Sequence, residues 1–146
     1  MVRTLTPDDL AEFLELPLVA VLATHWADGS VLLSPVWHEW NDGGFTVATT
    51  ESDVKVRHIT RDPRASILVA ESDPPYRGIE VRGRPTLLPD PGGVVALRLA
   101  IRYLGETRGT EYAGTLDDNT LIRLRPEGPG EIRAWDFADD IPSDRA

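Results

Sequence analysis

The chain has no cysteine and only one lysine. Without cysteine there are no disulfides, no thiolate metal sites and no cysteine nucleophile. With Lys55 as the sole lysine, all other positive side chains of fixed charge are arginines. No apolar run is long enough to span a bilayer. Positive charge is scarce overall: 15 Lys and Arg face 24 Asp and Glu, a formal net charge of -9. Nucleic acid is therefore not expected as a partner, because phosphate backbones are bound by summed positive charge. Anionic membrane surfaces are not expected for the same reason. The opening MVRTLTPDDLAEFLE places acidic residues where a signal peptide needs a continuous apolar stretch. No targeting segment is expected, and the cytoplasm is the default location. The three histidines, at 25, 38 and 58, lie too far apart for a compact ligand set, so no metal is expected.

The 146 residues, 41% hydrophobic and 27% charged, suit a single globular domain over 1–146. Thr6, Pro7, Asp8 and Asp9 form a helix start, with Leu10, Phe13 and Leu14 as its apolar stripe and Pro17 as its end. Residues 18–25 predict a buried strand, 27–30 an Asp-Gly hairpin turn, and 31–40 a second strand interrupted by Pro35. Residues 45–50 complete an expected three-stranded meander. Ser52 or Asp53 caps a helix that runs to about Arg61 and stops at Asp62-Pro63. Strands are expected at 64–72 and 79–89, the latter with a bulge at Gly83. Pro91 opens a helix with Val94, Leu97, Ala100, Ile101 and Leu104 as its buried stripe. Residues 105–119 are expected as a loop, 121–137 as a closing hairpin and 138–146 as a frayed tail. Six or more antiparallel strands with short flanking helices point to a mainly β (α+β) fold closed into a barrel.

Lys55 sits where the third strand ends and a helix begins, with Arg57, Arg61 and Arg64 following. The free amides of a first helical turn, its dipole, hydroxyls from Thr49, Thr50 and Ser52, and the Lys55 ammonium make an anion site suited to phosphate. A lysine acts on phosphate as a compact charge, whereas arginine prefers a planar bidentate partner. A plainer account is a surface helix whose Arg57 and Arg61 pair with Glu51, Asp53 or Asp62, and spacing alone favours it.

Longer patterns add to this. T-x-E-S-D-x-K-V-R-x-I-x-R-D-P-R-A-S (49–66), G-S-x-x-x-S-P-V-W (29–37), N-D-G-G-F (41–45) and Y-R-G-I-E-V-R-G-R-P-T-L (76–87) resemble the flavin- and deazaflavin-binding split β-barrel proteins. These include the pyridoxamine 5'-phosphate oxidase-like enzymes. The resemblance implies a homodimer with the cofactor in a groove between subunits. It implies that Thr49, Thr50, Ser52, Lys55 and Arg57 hold the cofactor phosphate. Ser34, Pro35, Val36 and Trp37 would flank the ring, with Tyr76 and Arg77 at the rim. Pro35 would mark where the strand leaves its ladder beside the ring.

Authentic pyridoxamine phosphate oxidases share an Arg-x-x-x-Leu-Lys pattern on the second strand. Here that strand reads LLSPVWHE, without a basic residue. The pattern is more similar to the branch that uses coenzyme F420, whose phosphodiester and polyglutamate tail would engage Arg57, Arg61 and Arg64. The implied activity is an F420-dependent oxidoreductase that transfers hydride from C5 of the deazaflavin to a small unsaturated or conjugated substrate. The alternatives are an FMN-binding oxidoreductase on the same fold and a non-catalytic flavin- or haem-binding module. No side chain is assigned an acid–base role. His38 is expected to be half exposed on a strand. The substrate pocket is expected to be lined by 72–78 and 105–119.

Overall fold

Thr6 opens the first helical turn, and the Asp9 carboxylate reaches back to accept its backbone N–H at 2.8 Å. In the computed structural model, which describes residues 5–142, a 3-10 turn at Pro7–Leu10 runs into helix α1 (Ala11–Leu14). Leu10, Phe13 and Leu14 are all buried, as their spacing predicts. Strand β1 (Ala20–His25) buries every second side chain. It pairs antiparallel with β2 (Val31–Val36) across the Asp-Gly turn. Strands β3 (Glu39–Asn41) and β4 (Gly44–Thr50) follow, then α2 (Val54–Arg61), β5 (Ala65–Ala70), β6 (Gly78–Gly83) and β7 (Thr86–Pro89). Helices α3 (Val94–Leu104) and α4 (Glu106–Ala113) precede β8 (Asn119–Leu124) and β9 (Ile132–Trp135). No helix among the described residues is long and apolar enough to cross a membrane.

The strands form two antiparallel sheets, ordered β2-β1-β5-β6-β9 and β3-β4-β8-β7. Phe45, Val47 and Ile122 of one sheet and Leu22, Ile67, Val69 and Ile79 of the other fill a common core with α1. The two sheets pack face to face over this core as a split β-barrel.

The division into two sheets corrects three expectations. The stretch 31–40 is not one strand, because the chain crosses between sheets at Trp37-His38; residues 18–50 are two hairpins in different sheets. The stretch 79–89 likewise divides at Arg84-Pro85, and the β5–β6 register runs unbroken to Ala65↔Gly83, so Gly83 ends a strand and makes no bulge. Strands β8 and β9 pair with β4, β7 and β6, and never with each other, so 121–137 is not a hairpin. Pro35 stays in the ladder opposite Val21. Strand β2 lies at a sheet edge, where a missing N–H leaves no partner strand unsatisfied.

The expected loop 105–119 contains α4. Gly105, at φ +86, takes the left-handed turn that separates α3 from α4. The two helices then pack at closest range through Gly109, where an added Cβ would lie 2.6 Å from the Ile101 Cα and N. The buried residues of α3 are Ala96, Leu99 and Ala100, so Ala100 of the expected stripe is buried while Val94 and Leu97 are exposed. Gly109→Ala is expected to destabilise the fold by about 1–3 kcal/mol, the usual cost of overpacking against backbone. Urea unfolding measures it, and a loss below about 0.5 kcal/mol would contradict the close approach. Of the expected frayed tail, residues 143–146 lie outside the described residues. The start of that segment is turned, with Asp140 N–H bonded to Phe137 O at 2.9 Å.

Candidate functional site

Strand β4 ends at Thr50 and the chain turns at once into α2, with Asp53 as N-cap. The Asp53 Oδ1 accepts the Lys55 backbone N–H at 3.1 Å, as a capping carboxylate does. Its Oδ2 accepts the Lys55 ammonium at 2.7 Å and the Thr49 hydroxyl at 3.0 Å. Two of the side-chain donors expected to meet a phosphate, Lys55 and Thr49, thus converge on one carboxylate. Burial raises the pKa of Asp53, and the Lys55 bonds and charge with the Thr49 hydroxyl outweigh it, leaving the group below its ordinary value. The aspartate is ionised at neutral pH.

This cluster lies at one end of a cavity of about 460 Å³, a size suited to a small organic ligand. Pro35, Val36 and Trp37 form one wall, and Ala48, Thr49, Thr50, Asp53 and Lys55 face the same space. Ala96 and Leu99 of α3 and Tyr112 of α4 line it too, with Val19, Leu116 and Asn119. Lys55 is the one cation and Asp53 the one anion among these lining residues. Trp37 is held from behind by Tyr103, whose ring stacks on it at 5.0 Å and 9°. Tyr112 meets Trp37 edge-on at 5.6 Å.

The crossing at Trp37-His38 is pinned by α3. The Tyr103 hydroxyl accepts the His38 backbone N–H at 3.0 Å and donates to Leu18 O at 2.7 Å. Beside it, Arg102 donates to the carbonyls of Leu14, Glu15 and Leu16, satisfying groups left free where the first helix ends. His38 is fully buried, against the expected half-exposed strand position, because the sheet crossing turns its side chain inward. Its ring meets Phe45 edge-on at 5.3 Å. Burial first and Arg102 second push its pKa down to about 4.

Of the residues anticipated for a cofactor, the fold brings Pro35, Val36, Trp37, Thr49, Thr50 and Lys55 to this cavity. Ser34, Ser52, Arg57, Arg61, Tyr76 and Arg77 lie outside its lining. Arg61 donates to His25 O. Arg77 makes a bidentate pair with Glu71, at 2.7 and 3.0 Å. Arg64 pairs with Asp62. Arg57 and Ser52 are exposed, and Tyr76 sits on the exposed turn after Pro75. Segment 72–78 does not line the cavity, whereas α4 and the turn after it do. Tyr112, Leu116 and Asn119 fall within the 105–119 segment expected to line the pocket, although a helix there was not expected because Gly109 at the centre of α4 masks a helical pattern. The double role of Asp53 was legible only as a cap.

The profile of the pyridoxamine 5'-phosphate oxidase family matches residues 6–132. Among solved structures, an F420 reductase shares 30% identity at a TM-score of 0.67, covering 84% of this chain and 94% of its own. A conserved hypothetical protein from Mycobacterium tuberculosis superposes at a TM-score of 0.76 with 22% identity, covering 97% and 92%. A haem storage protein from Vibrio cholerae does so at 0.66 with 18% identity, covering 88% and 93%. No curated protein matches the chain. The profile match over most of the chain, on two antiparallel sheets of split-barrel form, establishes that this protein belongs to the pyridoxamine 5'-phosphate oxidase-like family.

Proposed function

We propose that the protein is an F420-dependent reductase acting on a small unsaturated or conjugated substrate. The observation that carries this reading is the joining of the Pro35–Trp37 wall and the Thr49, Thr50 and Lys55 cluster in one cavity. The residues fit such a group. Lys55 and Thr49 already gather on an anionic oxygen, and the lining also includes aromatic and aliphatic side chains of Pro35, Val36, Trp37 and Leu99. The F420 reductase among the similar structures supports the choice of deazaflavin. The absence of Arg and Lys from β2 supports it over FMN.

When bound, reduced F420 supplies a hydride to the substrate. The chain supplies binding, orientation and exclusion of water. Lys55, Thr49 and Thr50 hold the phosphodiester by charge-assisted and hydroxyl hydrogen bonds. Pro35, Val36 and Trp37 flank the ring, and the stack on Tyr103 keeps the indole fixed. Tyr112 and the first half of α3 cover the apolar side. The reading includes a homodimer with the site at its interface. Its support is the outer face of edge strand β2, where Val31 and Leu33 are 51% and 64% exposed beside Pro35.

Titration of tryptophan fluorescence with F420 and, in parallel, FMN tests the reading. Saturable quenching by F420, weaker by FMN and reduced in Trp37→Phe, is the expected result. Tight FMN binding without F420 binding would move the protein to the flavin branch. Binding of neither would remove the mechanism.

A further inference from the structure

The anion end of the cavity is electrically balanced. Lys55 contributes one positive charge and Asp53, 2.7 Å away, one negative. No other charged side chain lines the space, and the three arginines of the same segment lie outside its lining. Arg61 is on His25 O, Arg64 on Asp62, and Arg57 is exposed outside the lining. A neighbouring cavity of about 620 Å³ shares Leu116 and Asn119 with the first and is bordered by Glu51, Asp90, Asp117 and Asp118, with no basic residue. An anion entering beside Lys55 therefore meets a neutral pair inside a negative surround.

Resting on the function proposed above, we propose that Asp53 is a specificity-determining residue, a charge filter that admits phosphodiesters and rejects phosphomonoesters. A phosphodiester carries one negative charge. A phosphomonoester carries about 1.5 to 2 at pH 7. While Asp53 retains its charge it cancels that of Lys55, so the site carries one net negative charge with a phosphodiester and about 1.5 to 2 with a phosphomonoester. Asp53 cannot shed that charge cheaply, because the Lys55 and Thr49 bonds favour its ionised form. It cannot simply swing away either, because Oδ1 is committed to the N-cap of α2. The repulsion grows with ligand charge, so it falls most heavily on a terminal phosphate such as that of FMN.

Asp53→Asn tests this with little structural change, since asparagine caps helices as well as aspartate does. The readout is the affinity of FMN relative to riboflavin, which shares the ring and lacks the phosphate. The FMN-to-riboflavin affinity ratio is expected to rise about tenfold, between the bulk-water and protein-surface limits for a unit charge at this range. Riboflavin affinity itself should not move, and F420 should gain less than FMN. Asp53→Ser, a second neutral cap, repeats the measurement if the asparagine variant melts early. An unchanged ratio in both variants overturns the proposal. So does FMN that stays unbound when the charge is gone, or a wild-type protein that already binds FMN far more tightly than riboflavin. Failure of F420 to bind wild type, with the ratio still rising, would overturn the deazaflavin reading and leave the filter standing.

Discussion

Replacing Lys55 by alanine is expected to weaken F420 binding by about 1.5–3 kcal/mol, the range for a hydrogen bond to a charged group. That is roughly a 10- to 150-fold rise in Kd. Two features place the loss towards the upper end. Lys55 is the one cation lining the cavity, so no neighbour substitutes for it. Its removal also leaves the Asp53 carboxylate facing the ligand without its counter-charge. The fold should survive, because the cap of α2 uses the backbone N–H of residue 55 and not its side chain. Fluorescence titration reads the affinity, and a thermal melt checks the fold. Wild-type affinity in a folded Lys55→Ala protein would show that the phosphate lies elsewhere. The double variant Lys55→Ala/Asp53→Asn should recover part of the loss, since the two side chains act as a pair.

Acid is expected to remove about 3 kcal/mol of stability through His38 alone. The ring is wholly buried, and neither Nδ1 nor Nε2 has a hydrogen-bond partner. Its pKa falls from 6.5 to about 4 in the folded state, from burial first and from Arg102 second. The sign follows from proton counts. Between those values the unfolded chain takes up a proton that the folded chain refuses. Stability is therefore full above pH 6.5 and declines as pH falls towards 4. By about pH 5 the loss amounts to roughly 2 kcal/mol. His58 is also buried and also lowered, by burial and then by Arg61 and Arg57, so it acts in the same direction. Urea unfolding of wild type and His38→Leu, at neutral pH and near pH 5, isolates the His38 share. The variant should lose clearly less stability on acidification. Equal losses would mean that His38 is protonated in the fold or reaches water.

The strands and α2 were legible because their signals are local. Alternating burial along Ala20–His25, the Asp-Gly turn at 28–29 and the cap at Asp53 need no knowledge of the rest of the chain. The sheet crossings were not legible. Residues 31–40 and 79–89 each read as one continuous β pattern, and what divides them is the pairing of distant strands and the grip of Tyr103 on Leu18 and His38. The stripe on α3 was misplaced for a related reason. Its facing surface is set by packing against β4 and α4, and α4 lies in a segment that carries no clear period. Half of the anticipated site residues meet in the cavity, those fixed by the end of β4, the cap of α2 and the end of β2. Arg61, Arg64 and Arg77 were drawn in by the family resemblance, and the fold gives each a nearer carbonyl or carboxylate. Asp53 was named as a cap, but its grip on Lys55 depends on a rotamer that sequence does not reveal.

The most direct measurement is a crystal structure of the protein equilibrated with F420. The phosphodiester should lie within hydrogen-bond distance of Lys55 and the Thr49–Thr50 hydroxyls, with the ring against Pro35–Trp37. Asp53 should remain on the N-terminus of α2. A cofactor bound away from Lys55, or a cavity without cofactor around an undisturbed Lys55–Asp53 pair, would contradict the assignment of this cavity as the cofactor site.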